Sequence, residues 1–203
     1  PNSNTTTLGI SHLPFTVKGA NSLAGLSEIN ASHLELENLS FPYCVSINSL
    51  FINEESTGNT YNTADITVTL AHELGHYLGL HHVFSETENE NSCKDTDYCA
   101  DTPTYNKKAY DMDCAYIEVN DPDNFTFANL VNRENCLTGE SFVSYNIMDY
   151  AISYSDRFTP EQRARIRHVL LYSPLIPGPK AGQEAGTRSA PSGLMELPIR
   201  TAK

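Results

Sequence analysis

The chain has 203 residues, 39% of them hydrophobic and 19% charged, with a formal charge of −12 at pH 7. That composition supports one globular domain with a real core and excludes wholesale disorder. The acidic balance argues against nucleic acid and anionic membrane as partners. No apolar run approaches the ~18 residues a membrane span needs, and five cysteines are too few for a disulfide scaffold.

Residue 1 is Pro, with no initiator Met and no charged-then-apolar leader, so the sequence reads as a processed form or a fragment. Residues 1–8 are polar and loop-like. Gly9 to Phe15 (GISHLPF) is predicted to form a short edge strand ended by Pro14. Residues 16–43 read as a long Asn/Ser-rich loop with a helical turn near Ser32–Glu37. Cys44 to Ile52 is the best strand candidate, alternating through Val45, Ile47 and Phe51. After a turn-rich connector, Ile66, Leu70, Leu74, Tyr77 and Leu78 recur at helical spacing and predict a helix over 63–78 that stops at Gly79. Residues 83–145 hold no long periodic segment; so long an irregular stretch calls for staples or bound ions. Thr159-Pro160-Glu161-Gln162 opens a second helix with a capping box, and Ile166, Val169 and Leu170 supply its apolar face. From Ser173 the composition turns to Pro, Gly, Ala and Ser. The expected division is a domain over 1–172 and a flexible tail over 173–203.

One stretch carries chemistry. Residues 72–82 read HELGHYLGLHH and contain His72, Glu73, His76, Gly79 and His82 in the order H-E-x-x-H-x-x-G-x-x-H. Chance occurrence of five fixed positions in a chain this long is on the order of 10⁻⁵. His72 and His76 lie one helical turn apart, so both imidazoles leave the same face and fit one zinc ion. Glu73 is one residue further round, beside the metal rather than on it, within reach of a water there. Gly79 lets the chain leave the helix sharply, and His82 returns as third ligand. Three protein ligands leave a coordination position open, the mark of a catalytic site. His81 reads as a neighbour outside the ligand set.

This extended motif is that of the metzincin metalloproteases. The class also needs a methionine turn, and Asn146-Ile147-Met148-Asp149-Tyr150 supplies one around Met148. HELGHYLGLHHVF, DYCADTP (97–103), NIMDY and RFTPEQ (157–162) together resemble the pappalysin family, and look closest to its secreted bacterial members. The resemblance covers about residues 9–172. It implies an α+β fold: a small mixed sheet and active-site helix above a cleft, and a loop-rich lower subdomain with a C-terminal helix. It also implies that upper-subdomain strands are missing ahead of Gly9, or that this part is built differently. On the same ground Gly9, Ile10, Ser11 and His12 are the candidate edge strand for an extended substrate. Tyr150 is placed near the zinc, as a ligand or as an aid to the oxyanion. The reaction implied is peptide-bond hydrolysis with Glu73 as general base. The substrate is a protein or peptide, met outside the cell or at its surface.

Several features stay open. Glu86, Glu88, Glu90, Asp95, Asp97 and Asp101 form an acidic run that is either a solvated face or a calcium site. The family's ligand region maps the calcium candidates to Asp97, Asp101 and Thr102, although Thr104 stands where an acid is expected. Cys93, Cys99, Cys114 and Cys136 suit disulfides better than a second zinc site, with three pairings open, and Cys44 reads as a buried free thiol. Asp156, in the segment 151–158 after the methionine turn, either selects a basic side chain or is a surface partner of Arg157. Sequons at Asn4, Asn30, Asn38 and Asn124 read as coincidental in so Asn-rich a chain. The rival to the protease is a zinc-holding module without turnover; the intact Glu73 argues against it. No pattern in the sequence bears on oligomeric state.

Overall fold

The computed structural model of the chain describes residues 6–29, 43–57, 62–150 and 152–176. Among these, strands β1 (Gly9–Ser11), β2 (Thr16–Val17), β3 (Glu28–Ile29) and β4 (Val45–Ile47) precede helix α1 (Ile66–Tyr77). Then come α2 (Lys107–Asn120), α3 (Phe127–Leu130), β5 (Asn132–Glu134), β6 (Ser141–Val143) and α4 (Pro160–Tyr172). The chain is thus mixed α and β, as expected. The expected small mixed sheet is instead three two-stranded ladders among the described residues: β1–β4 antiparallel, β2–β3 parallel and β5–β6 antiparallel.

Both expected long strands are shorter than their sequence pattern. The first ends at Ser11, before Leu13-Pro14. The second ends at Ile47 because the Asn48 side chain accepts from Leu50 N–H at 3.1 Å and starts a 3₁₀ turn over Ser49–Phe51. The stretch 16–43, read as loop, contains the β2–β3 pair; the helical turn expected near Ser32–Glu37 lies outside the described residues.

The largest correction is α2, fourteen residues of helix inside a stretch read as irregular. It buries no residue fully; its inner side is the half-buried stripe Tyr110, Cys114 and Ile117, set among exposed acidic and polar residues that mask it in the sequence. Asn106 starts it by accepting from Ala109 N–H at 2.8 Å, and helix-favouring Lys, Ala and Met continue it. The apolar faces also differ from expectation. Leu70 and Leu74 of α1 are about 40% exposed, as is Leu170 of α4. What α1 buries is Thr69, Glu73 and Gly75, the side that faces the functional groups.

Two core clusters hold these pieces together. Leu26, Val169 and Ile176 form one, joined by Leu23, Tyr43, Tyr77 and Leu78. Leu80, Val83 and Met148 form the other, joined by Phe158 and Ile166. Each fully buried aliphatic side chain contributes roughly 1.5–3 kcal/mol. Arg165, itself buried, spans the gap between clusters, donating from Nε to Gly79 O and from Nη2 to Ala24 O, both at 2.6 Å. Packing continues past Tyr172: Ser173 donates to Phe15 O at 2.8 Å and Ile176 is buried, so residues 173–176 join the core.

One disulfide joins Cys93 to Cys136. Cys99 and Cys114, expected to pair as well, are free thiols. Cys99 is buried, whereas Cys44, read as the buried thiol, is only half-buried. Closing a loop of this length removes roughly 4 kcal/mol of unfolded-chain entropy.

Candidate active site

α1 starts on Asp65, whose carboxylate accepts from Thr67 N–H at 2.8 Å and Val68 N–H at 3.3 Å. Its end is a Schellman motif: Leu80 N–H bonds Gly75 O at 2.9 Å and Gly79 N–H bonds His76 O at 2.8 Å. Gly79 takes φ +89°, a conformation that favours glycine. The turn brings His82 back beneath the helix. Nε2 of His76 lies 3.2 Å from Nε2 of His72 and 3.1 Å from Nε2 of His82. Among the described residues this trio is the one group of three or more His, Cys, Asp or Glu gathered closely enough to hold a metal ion.

The opposite nitrogens decide the protonation. His72 Nδ1 donates to Ile147 O at 2.7 Å, His76 Nδ1 to Leu80 O at 2.9 Å, and His82 Nδ1 to the Glu86 carboxylate. With each Nδ1 a donor, three bare Nε2 lone pairs converge on one point, an arrangement that repels unless a cation lies between them. Tetrahedral zinc with bonds of ~2.0–2.1 Å sets neighbouring ligand atoms about 3.3 Å apart, so the residues fit that ion. Burial and the neighbouring rings press His72 down to about 3 and His76 to about 4, which keeps both neutral and able to ligate.

Glu73 points into the same cleft and is 8% exposed. Burial pushes its carboxyl up to about 7. Gly9 of β1 passes so close that a Cβ there would sit 2.7 Å from Glu73 Cγ. The cleft has a volume of about 490 Å³ and runs from Thr6–Ser11 across Thr69 to Tyr150 and Ser155. The register of β1 is informative. Asn48 N–H bonds Leu8 O at 2.8 Å and His12 N–H bonds Cys44 O at 3.3 Å, so even-numbered residues face β4. The backbone groups of Gly9 and Ser11 therefore face the other edge. Gly9, Ile10 and Ser11 line the cleft; His12 turns to β4, its Nδ1 3.3 Å from Cys44 O, and is not among the lining residues.

Met148 is fully buried beneath α1. Gly75 admits it: a Cβ there would lie 2.3 Å from Met148 Sδ. Asn146 fixes the turn, accepting from Met148 N–H at 2.9 Å and exchanging bonds with Gln162 at 2.9 and 3.2 Å. Asp149 is buried below it and accepts from Tyr105 Oη at 2.6 Å and from Tyr150 N–H at 2.8 Å. The Tyr150 ring stands 4.7 Å from that of His82 and 5.9 Å from that of His72, and burial raises its hydroxyl pKa.

Other expected residues lie elsewhere. Asp97 is buried, accepting from Thr102 Oγ1 at 2.6 Å and Cys99 N–H at 3.0 Å. Asp101 accepts from Glu161 N–H at 2.9 Å, at the start of α4. Asp156 pairs with its neighbour Arg157 at 2.5 and 2.8 Å and does not line the cleft, so the surface alternative holds. Sequence reasoning missed Gly75 and Asp149 as parts of the site, and missed the link from Glu86 to His82. The two glycines of HELGHYLG were visible as a signal, but only contact geometry separates their tasks.

The pregnancy-associated plasma protein-A family model matches residues 44–171. Extracellular metalloproteases of Arthroderma benhamiae and Trichophyton verrucosum are each 36% identical over 99 residues, 48% of this chain and 29% of theirs. One from Arthroderma otae is 35% identical over the same share. The aligned region thus spans less than a third of these fungal relatives. No solved structure matches the chain. The family match covers well over half of the sequence and includes all three histidines, Glu73 and the methionine turn, and the chain belongs to the pregnancy-associated plasma protein-A, or pappalysin, family of peptidases.

Proposed function

We propose that the chain is the catalytic part of a zinc-dependent endopeptidase acting on proteins or peptides outside the cell. The observation that carries the reading is three bare Nε2 atoms converging beside the buried carboxylate of Glu73, at the floor of an open cleft. His72, His76 and His82 would hold a zinc ion, which would supply Lewis acidity toward a water and the scissile carbonyl. The Glu73 carboxylate, made more basic by burial, would accept the proton of the attacking water and pass it to the leaving amine. Burial keeps the Tyr150 hydroxyl protonated, so that it would donate a hydrogen bond to the developing oxyanion. Backbone groups of Gly9 and Ser11 pair with the substrate as an added antiparallel strand, holding the scissile bond over Glu73. The relatives' name supports secretion, and no described helix is long and apolar enough to cross a membrane. The calcium proposal for Asp97, Asp101 and Thr102 draws on the family resemblance.

The test is a peptide-library digest read by mass spectrometry, run beside metal analysis. The native chain is expected to bind one zinc and cleave; Glu73→Ala is expected to keep zinc and lose cleavage. Zinc uptake without cleavage by either protein supports the binding-module alternative. Appreciable cleavage by Glu73→Ala refutes the role given to Glu73.

A further inference from the structure

The three ligand rings are not held alike. Main-chain carbonyls of Ile147 and Leu80 take the Nδ1 protons of His72 and His76. His82 lies past the end of α1, in a segment without regular structure, and its Nδ1 proton goes to a side chain, Glu86. Aromatic contacts also confine the His82 ring: it stacks on Phe84 at 4.7 Å and 13° and meets Tyr150 edge-on at 4.7 Å and 70°. Those contacts fix the plane of the ring but do not choose between its two faces-down orientations. A half-turn about Cβ–Cγ exchanges Nδ1 with Cδ2 and Nε2 with Cε1 while leaving the stacking almost unchanged. Before any cation binds, it is the acceptor at Nδ1 that selects the orientation turning Nε2 toward His76.

Glu86 is delivered to that position from a fixed point. The preceding residue, Ser85, is buried and bonded on several sides. Its N–H donates to Tyr105 O at 2.8 Å, its hydroxyl accepts from Lys94 N–H at 3.1 Å, and its carbonyl accepts from Lys107 N–H at 3.4 Å. The carboxylate also adds a charge. A negative group on Nδ1–H makes the far nitrogen a better electron donor toward a cation.

We propose that Glu86 is a positioning residue for the metal centre, fixing the orientation and tautomer of His82 and strengthening it as a ligand. This rests on the metal-centre reading above. It gives one member of the acidic run a task distinct from its neighbours Glu88 and Glu90: all three are exposed, and Glu86 is set apart by its bond to His82.

The experiment measures zinc affinity by competition with a chromophoric chelator at fixed pH and salt. It compares the full chain with Glu86→Ala, Glu86→Gln and Glu88→Ala. Glu86→Ala is expected to bind zinc about 10–100-fold more weakly. Glu86→Gln, whose amide oxygen still accepts from Nδ1, is expected to recover part of that loss. Glu88→Ala, which removes the same charge two residues away, is expected to bind as the native chain does. Thermal melts of the metal-free proteins are expected to coincide, which separates ring orientation from general destabilisation. A native chain that binds zinc while Glu86→Ala binds equally well overturns this inference alone. So does an equal loss in Glu88→Ala, which would trace the effect to bulk charge. A native chain that takes up no zinc overturns the metal-centre reading and this inference with it.

Discussion

Substituting Gly79 by Ala probes how the zinc motif is joined to the rest of the chain. Two separate costs are expected. At φ +89° a residue with a Cβ pays about 1–2 kcal/mol for the left-handed backbone. The new Cβ would also lie 2.7 Å from Val169 Cγ2, with Leu26 Cδ1 at 3.4 Å and Pro14 Cγ at 3.5 Å. Val169 is β-branched, buried and on a helix, so it cannot swing aside, and such overpacking costs about 1–3 kcal/mol. The sum, about 2–5 kcal/mol, corresponds to a fall in melting temperature of roughly 5–15 °C for a chain this size. The assay is thermal unfolding of the metal-free native chain, Gly79→Ala, Val169→Ala and the double variant. The backbone cost survives in the double variant, whereas the clash does not. The double variant should therefore be more stable than the summed single effects by about 1 kcal/mol or more. A Gly79→Ala melt within about 2 °C of native, or a coupling near zero, refutes the reasoning.

Other expectations follow from the same geometry. Tyr150→Phe keeps the ring beside His82 and removes only the hydroxyl, so kcat should fall about 10²-fold with KM little changed; an unchanged kcat removes Tyr150 from the reaction. Cys93→Ser opens the Cys93–Cys136 loop and should cost roughly 4 kcal/mol, a melting shift on the order of 10 °C against the native oxidised chain. Asp156→Asn should leave the residues flanking the cleaved bond unchanged, because that carboxylate is bound to Arg157 outside the cleft; an altered preference in the library digest would contradict this. Burial pushes Asp97 up to about 7. The folded chain therefore holds that proton longer than the unfolded one, and chelator-treated protein should lose stability as pH rises from about 4 through about 7. Asp97→Asn should flatten that slope in pH-dependent melts, and added calcium should restore stability at pH 7 if Asp97, Asp101 and Thr102 hold it.

The site was legible in sequence where its logic is local. One helical turn separates His72 from His76, three residues separate Thr159 from Gln162, and both patterns appear in the structure as read. The fold was less legible where the usual signals are inverted. α1 turns its apolar residues Leu70 and Leu74 partly to solvent and buries Glu73, so its periodicity located the helix and misassigned its buried side. α2 buries nothing fully, and its short stripe of Tyr110, Cys114 and Ile117 is too brief and too mixed with acidic residues to stand out as a helical period. Contacts between distant residues were out of reach. The approach of Met148 to Gly75 joins positions 73 residues apart, and no spacing rule encodes it. Arg165 is buried and tethers the turn at Gly79 across 86 residues of chain, another contact that no spacing rule encodes.

Gln162 closes the capping box of α4 and also grips Asn146 beneath the methionine turn. A helix cap and the floor of the cleft thus share one side chain. This bears on where the polypeptide can be cut. A fragment ending at Tyr150 retains His72, His76, His82, Glu73 and Met148, yet it surrenders the strut that holds Asn146 and the residues Val169 and Ile176 that close the core above Gly79. Trimming from the C-terminal side should therefore be tolerated only down to about Ile176, with metal uptake and helix content lost together once the cut passes into α4.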